Sequence, residues 1–187
     1  SKNVKIGKNC VLGQNVFIGN NVKIGNNVKI QNNVSIYEGV TLENDVFCGP
    51  SVVFTNVKFP RSKLKIGPNK FTKTLVKSGA TIGANSTILS DLVIGKYSLV
   101  AAGSVITKDV ENYTVVIGNP GKVYGNTCKC NNKIIKKNSK KSIKCLKCKR
   151  VVSGWTYMKF NDLDILNSKF NKKILIELEK TINKNNF

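Results

Sequence analysis

Six cysteines, no histidine and only two arginines among 31 basic residues bound the chemistry open to this 187-residue chain. Without histidine there is no imidazole base, no Ser-His-Asp or Cys-His arrangement and no His-ligated metal. Any proton acceptor must be a carboxylate, another polar group or water. Cys128-Lys-Cys130 and Cys145-Leu-Lys-Cys148 form a CxC–x14–CxxC pattern. Four thiolates in two close pairs fit a tetrahedral structural Zn²⁺, and the surrounding lysines help to keep the sulfurs deprotonated. A disulfide or free thiols is the competing reading. A catalytic cysteine is not expected, because none has a partner base.

The net charge is +21, divided between +9 over residues 1–125 and +12 over residues 126–187. Twenty-nine of the basic residues are lysine, beside 25 asparagines. That joint excess is what AT-rich coding produces, whereas phosphate and nucleic-acid surfaces recruit arginine for its bidentate fork. The charge is read mainly as background that favours anionic small ligands, and nucleic acid is not the expected partner. No apolar run reaches the roughly 18 residues of a membrane span, and no leader is visible. Free cysteines without a secretory marker point to a reducing, cytoplasmic setting.

A repeat must position these groups. Ile6, Leu12, Ile18, Ile24, Ile30, Ile36, Leu42, Cys48 and Phe54 lie six residues apart, each preceded at two residues by a mostly apolar partner from Val4 to Val52. Cys10 and Cys48 fall on these two inward sets and are read as core. The register resumes at Val76 and runs through Ile82, Ile88, Ile94, Val100 and Ile106, after 16 extra residues. A period of six fits neither a helix nor a hairpin array. It fits short strands meeting at sharp corners, three to a coil of a parallel β-solenoid. Gly and Asn at the corners tolerate the backbone angles required there. Fifteen hexads predict five coils, a prism roughly 24 Å long at about 4.8 Å per coil.

Residues 1–125 therefore form the solenoid domain, with a loop over 56–74 and an exit through Val115–Tyr124. Residues 126–157 form the four-cysteine segment, zinc-ribbon-like and basic. Residues 158–187 carry Leu163, Leu166, Phe170, Ile174, Leu178 and Ile182 at helical spacing, predicting a C-terminal amphipathic α-helix. The fold class is an all-β solenoid with these two appendages.

Several stretches are narrower than the repeat: Ile30–Tyr37, Val46–Val57 with its Phe54-Thr55-Asn56-Val57, Pro60-Arg61-Ser62, Leu75–Asn85, Gly103–Val110 and Val116–Pro120. On these, the chain resembles the hexapeptide-repeat acyltransferases, and within them the N-acetyltransferases of nucleotide-linked 3-amino sugars. The closest likeness is to those acting on UDP-2-acetamido-3-amino-2,3-dideoxy-glucuronate. The resemblance implies a left-handed parallel β-helix, a homotrimer, and acetyl-CoA as donor to a nucleotide-sugar amine in surface-glycan precursor synthesis. It implies that Asn56 orients the acceptor amine, which an amide does by hydrogen bonding. Glu38 is the nearest acid in the coil register, able to accept a proton or position the amine. Arg61 is matched to an anionic part of the sugar nucleotide, and Gln31, Asn32, Asn33, Tyr37 and Thr55 to the same substrate. Gly83, Ala84, Ala101, Ala102 and Gly103 leave room for a pantetheine arm; Lys108 and Lys122 reach its phosphates and Pro120 packs near the adenine. The competing readings are ordinary corner residues for Asn56, Glu38 and the small residues, and a loop arginine for Arg61. The chain departs from its relatives in three ways. It starts after their opening coils, Phe59 stands where many have Asn, and Gly121 stands where Ala is usual.

The expected activity is acetyl transfer from acetyl-CoA to the 3-amino group of a nucleotide-linked amino sugar. A non-catalytic hexapeptide scaffold and a basic zinc-ribbon nucleic-acid-binding protein are the alternatives. A carbonic anhydrase of this fold needs three histidines and is excluded.

Overall fold

A computed structural model describes residues 1–64, 66–130, 133–134, 143–145, 147–149 and 151–152. The helix expected over 158–187 lies outside the described residues.

The hexads fold as β1 (Lys5–Ile6), β2 (Val11–Leu12), β3 (Phe17–Ile18), β4 (Lys23–Ile24), β5 (Lys29–Ile30), β6 (Ser35–Ile36), β7 (Val40–Leu42), β8 (Phe47–Cys48) and β9 (Val53–Phe54). After the insertion come β10 (Thr74–Val76), β11 (Thr81–Ile82), β12 (Thr87–Ile88), β13 (Val93–Ile94), β14 (Leu99–Val100) and β15 (Val105–Ile106). Every third strand stacks in parallel. Face one is β1-β4-β7-β10-β13, face two contains β2-β5-β8-β11-β14, and face three is β3-β6-β9-β12-β15. Lys5 pairs with Lys23, one coil of 18 residues on. Across the insertion Leu42 pairs with Val76, so the extra 16 residues leave the register intact.

The corners explain why this sequence can turn every six residues. Asn3, Asn9, Asn15, Asn21, Asn27 and Asn33 all sit at φ between 55 and 61°, a left-handed conformation that Asn tolerates better than most side chains. The same residues then bond along the prism. Asn9 Nδ2 donates to Asn27 Oδ1 at 3.4 Å and Asn15 Nδ2 to Asn33 Oδ1 at 3.3 Å. Their neighbours cap the backbone: Lys8 N–H donates to Asn26 Oδ1 at 2.7 Å and Gln14 N–H to Asn32 Oδ1 at 3.0 Å. Corner polarity is thus consumed internally, as a stacked backbone requires.

Inside, Val22, Val28, Ile30, Val34, Ile36, Cys48, Phe54, Ile82, Ile88, Ile94 and Val100 are fully buried. In the first coil Ile6 and Leu12 are 45% and 43% exposed. Cys10 packs against the core and donates its S–H to Gly25 O at 3.1 Å. Burial pushes the Cys48 thiol up to about 12, so it stays protonated and inert.

The exit differs from expectation. β16 (Thr114–Ile117) does not leave the prism but adds a sixth rung to face two, parallel to β14, while Val110 bridges to Ile94 on face one. The chain then reverses into β17 (Lys122–Thr127), antiparallel to β16, and β18 (Lys133–Ile134) pairs with β17. A separate two-stranded ladder joins β19 (Ile143–Lys144) to β20 (Val151–Val152). The Gly121 departure has a steric reason: a Cβ there would lie 2.8 Å from Ile106 Cδ1 and 2.9 Å from Val116 Cγ1.

Candidate functional site

The insertion leaves the prism at the edge between faces three and one and returns to it at Thr72. Its exit is held by Lys58 Nζ, 2.6 Å from Asp91 Oδ2, an exposed pair that contributes little to stability. Its return is held by Asn56 O, which accepts from Thr72 N–H at 3.0 Å and Thr72 Oγ1 at 3.1 Å. The returning strand crosses Gly39, at φ +99°, where a Cβ would lie 2.3 Å from Thr72 O. Only glycine meets both demands.

Gly39 therefore cannot supply the Asn side chain that continues the corner ladder. Asn21, one coil before it, gives its amide instead to Glu38 Oε1 at 2.7 Å. Asn56 Nδ2 donates to the Glu38 carbonyl oxygen at 3.2 Å. Glu38 is thus oriented from both sides by amides. Tyr37, beside it, packs its ring on Phe17 with centroids 5.4 Å apart and planes tilted by 53°. These groups line a cleft of about 760 Å³ whose opposite wall is loop: Pro60, Arg61, Ser62, Leu64, Ile66 and Phe71. Among the described residues of the lining, Glu38 is the one acid and Arg61 the one basic side chain. The Arg61 guanidinium bonds only the neighbouring Pro60 O, at 3.3 Å, and is otherwise available to an anion. The volume suits a small organic ligand.

Of the expected substrate residues, Tyr37, Glu38, Asn56 and Arg61 come together. Thr55 is half-buried in the rung just before Asn56, its N–H donating to Ile88 O at 3.0 Å. Gln31, Asn32 and Asn33 stand apart, at the edge between faces two and three. Asn32 and Asn33 are there occupied by the corner bonds described above, and Gln31 N–H donates to Cys48 O at 2.9 Å. Phe17, Leu64 and Phe71 join the cleft without having been singled out. Counting modulo 18 would have found Phe17, since residues 17–21, 35–39 and 53–57 share one column.

Gly83, Ala84, Ala101, Ala102 and Gly103 share the two–three edge with Gln31. Gly83 is required by the prism itself, since a Cβ would lie 2.4 Å from Ala102 N. Gly103, at φ +69°, faces open space. Lys108 lies on the three–one edge of the fifth coil. Pro120 and Lys122 flank Gly121, whose N–H donates to Val105 O at 2.7 Å. Within one chain the expected donor residues therefore do not form a single patch with the cleft.

The four cysteines of the tail do converge. Cys128 Sγ is 3.4 Å from Cys148 Sγ and Cys130 Sγ is 3.6 Å from Cys145 Sγ, with all four sulfurs within 4.8 Å of one another. A tetrahedral zinc with Zn–S of about 2.3 Å sets sulfurs about 3.8 Å apart, so the donor set fits that ion. Burial, the largest cause, pushes the Cys128 thiol up to about 12; a bound dication would reverse that preference.

Residues 3–38 match the hexapeptide repeat of succinyl-transferase, and residues 73–108 the six-repeat bacterial transferase hexapeptide. Over 67 residues the chain is 46% identical to a dTDP-3-amino-3,6-dideoxy-α-D-galactopyranose 3-N-acetyltransferase of Aneurinibacillus thermoaerophilus, spanning 36% of this chain and 35% of that one. The chain thus covers about a third of that relative's length. A hexapeptide-repeat acetyltransferase of Vibrio cholerae superposes with a TM-score of 0.56 at 25% identity, over 65% of this chain and 73% of that one. A GDP-perosamine N-acetyltransferase of Caulobacter crescentus, solved with coenzyme A and GDP-perosamine, has the same fold at a TM-score of 0.56 and 20% identity, over 66% of this chain and 51% of that one. The fold is the left-handed parallel β-helix. Among the described residues no helix is long and apolar enough to cross a membrane.

Proposed function

The chain carries the hexapeptide repeat of bacterial transferases, and on that premise we propose that it transfers acetyl from acetyl-CoA to the 3-amino group of a nucleotide-linked amino sugar of the UDP-GlcNAc3NA kind. The observation that carries the reading is the meeting of one carboxylate, one orienting amide and one guanidinium in a single cleft on this fold. The neutral amine attacks the thioester carbonyl carbon, and a tetrahedral intermediate collapses with loss of coenzyme A thiolate. With no histidine in the chain, the proton leaving the amine goes to Glu38, held for that purpose by Asn21. Asn56 aligns the amine, Arg61 pairs with phosphate or sugar carboxylate, and the Phe17–Tyr37 rings offer an apolar wall to the nucleotide.

The small donor residues lie on the two–three edge, away from the cleft, which supports a homotrimer in which a neighbouring copy brings its two–three edge to this one. Coenzyme A would then lie along Gly83, Ala84, Ala101, Ala102 and Gly103, with Lys108, Lys122 and Pro120 toward its nucleotide end. A structural zinc on Cys128, Cys130, Cys145 and Cys148 completes the reading, and the setting is the cytoplasmic synthesis of surface-glycan precursors.

Thiol release from acetyl-CoA, measured against UDP- and dTDP-linked 3-amino sugars, tests the activity. Turnover with at least one, and an acceptor KM raised in Arg61→Lys, is expected. No thiol release with any of them, in a chain that binds acetyl-CoA, would leave a non-catalytic scaffold; salt-sensitive binding to nucleic acid would favour the other alternative.

A further inference from the structure

Two tyrosines stand beside the cysteine cluster, on an edge of the prism other than the cleft's. At the edge between faces one and two, the left-handed corner slot that earlier coils fill with Asn or Asp holds Gly79, Tyr97 and Tyr113 in successive coils, at φ 72, 52 and 58°. The Tyr97 ring lies over Gly79, where a Cβ would fall 2.2 Å from Tyr97 Cε1. Tyr113 stacks on Tyr97 with centroids 5.4 Å apart and planes 19° from parallel. The column ends against the cysteines, since Tyr113 packs on the Cys128–Cys145 cluster. Tyr113 O also accepts from Thr127 N–H at 2.8 Å and Asn126 Nδ2 at 3.3 Å, tying down the end of β17. Lys129 Nζ stands 5.3 Å from the Tyr97 centroid, a cation–π approach.

The cysteine turn has its own order. Lys149 N–H donates to Cys145 O at 2.8 Å with Lys149 at φ +60°, closing the CxxC segment into a tight knuckle that holds both sulfurs on one side. Cys128 and Cys145 are 3% and 0% exposed. β17 meanwhile covers the edge of β16, the last parallel rung of face two, which would otherwise offer open N–H and C=O groups for pairing with another chain.

We propose that a zinc ion on the four cysteines fastens β17 to the Tyr97–Tyr113 column and so seals the terminal rung of the prism. The ion links Cys128 and Cys130, at the end of β17, to the Cys145–Cys148 knuckle and presses the pair against Tyr113. This rests on the zinc assignment above and goes beyond it, because a bound ion need not govern β17.

The test uses the full chain purified without chelator, with metal content, amide exchange and oligomeric state followed together. One zinc per chain is expected, replaceable by cobalt(II) with the visible absorption of a tetrahedral thiolate site. Stripping with EDTA should speed amide exchange in residues 114–127 by roughly tenfold or more, leave coils two to five protected, and promote association through the opened edge. Tyr113→Leu, which keeps all four ligands, should retain zinc yet show faster exchange in 122–127. If zinc binds but neither stripping nor Tyr113→Leu changes exchange in β17, the lock is refuted and the metal site stands. If neither zinc nor cobalt binds the reduced chain, both fail.

Discussion

Two edges of the same prism use the same corner slots for different ends. At the two–three edge Gln31-Asn32-Asn33 occupies the slots after Ile30, and Asn32 and Asn33 bond the coil stacked on them. At the three–one edge Tyr37-Glu38-Gly39 occupies the same slots after Ile36, and its polar groups face a cleft. The difference begins with the returning loop. Thr72 O leaves no room for a Cβ at residue 39, the ladder breaks, and the Asn21 amide turns to Glu38. The candidate site arises where the repeat can no longer satisfy itself.

The largest expected effect that would break this contrast is on rate. Glu38→Gln keeps the Asn21 bond but cannot take a proton, so turnover should fall roughly a hundredfold with little change in stability. Unchanged turnover would move the proton to solvent. Next, Gly39→Ala should destabilise the chain by about 1–3 kcal/mol in denaturant unfolding and displace the loop. Gly103→Ala, also at positive φ but facing open space, should cost only about 1 kcal/mol and leave the cleft intact.

Asn56→Ala should lower turnover roughly tenfold, through lost alignment and a loosened Glu38 carbonyl, with acetyl-CoA affinity unchanged. Asn33→Ala should do the reverse: about 0.5–1.5 kcal/mol of stability lost and full activity retained. A loss of turnover there would return Asn33 to the substrate. The smallest effect concerns the third edge. Glu43 Oε2 accepts from Ser78 Oγ at 2.7 Å and Ser78 N–H at 2.9 Å, and the hydroxyl bond chiefly holds its carboxyl below the ordinary 4.5. A depressed folded value means the stabilisation is present above about that pH and is lost as pH falls through the folded value. Ser78→Ala should therefore flatten the acid side of the stability curve while leaving neutral turnover alone.

Much of the architecture was legible in the sequence because a strict period of six has one physical solution. Inward Val, Ile and Leu, left-handed Asn corners and an unbroken register across 16 inserted residues follow from the hexads alone. Glu38 was legible as the nearest acid in the coil register, and Tyr37 and Arg61 through the stretches that carry the resemblance. Less legible was which edge each slot faces. That grouped Gln31, Asn32 and Asn33 with Tyr37, although within one chain β6 of face three separates them. Val115–Ile117 read as an exit because a strand that continues the prism and then reverses looks like a departure.

By itself the sequence determined the rungs, their spacing and the four sulfurs able to take a metal, since each depends on residue type at fixed separations along one chain. Only the tertiary structure decided which polar corners remain free for chemistry. Asn56, Asn21 and Glu38 meet through coils 18 residues apart, and Phe71 reaches them through the loop. A corner amide becomes structural or functional according to whether the coil stacked on it offers a partner. That depends on backbone crossings such as Thr72 over Gly39, which no local spacing records.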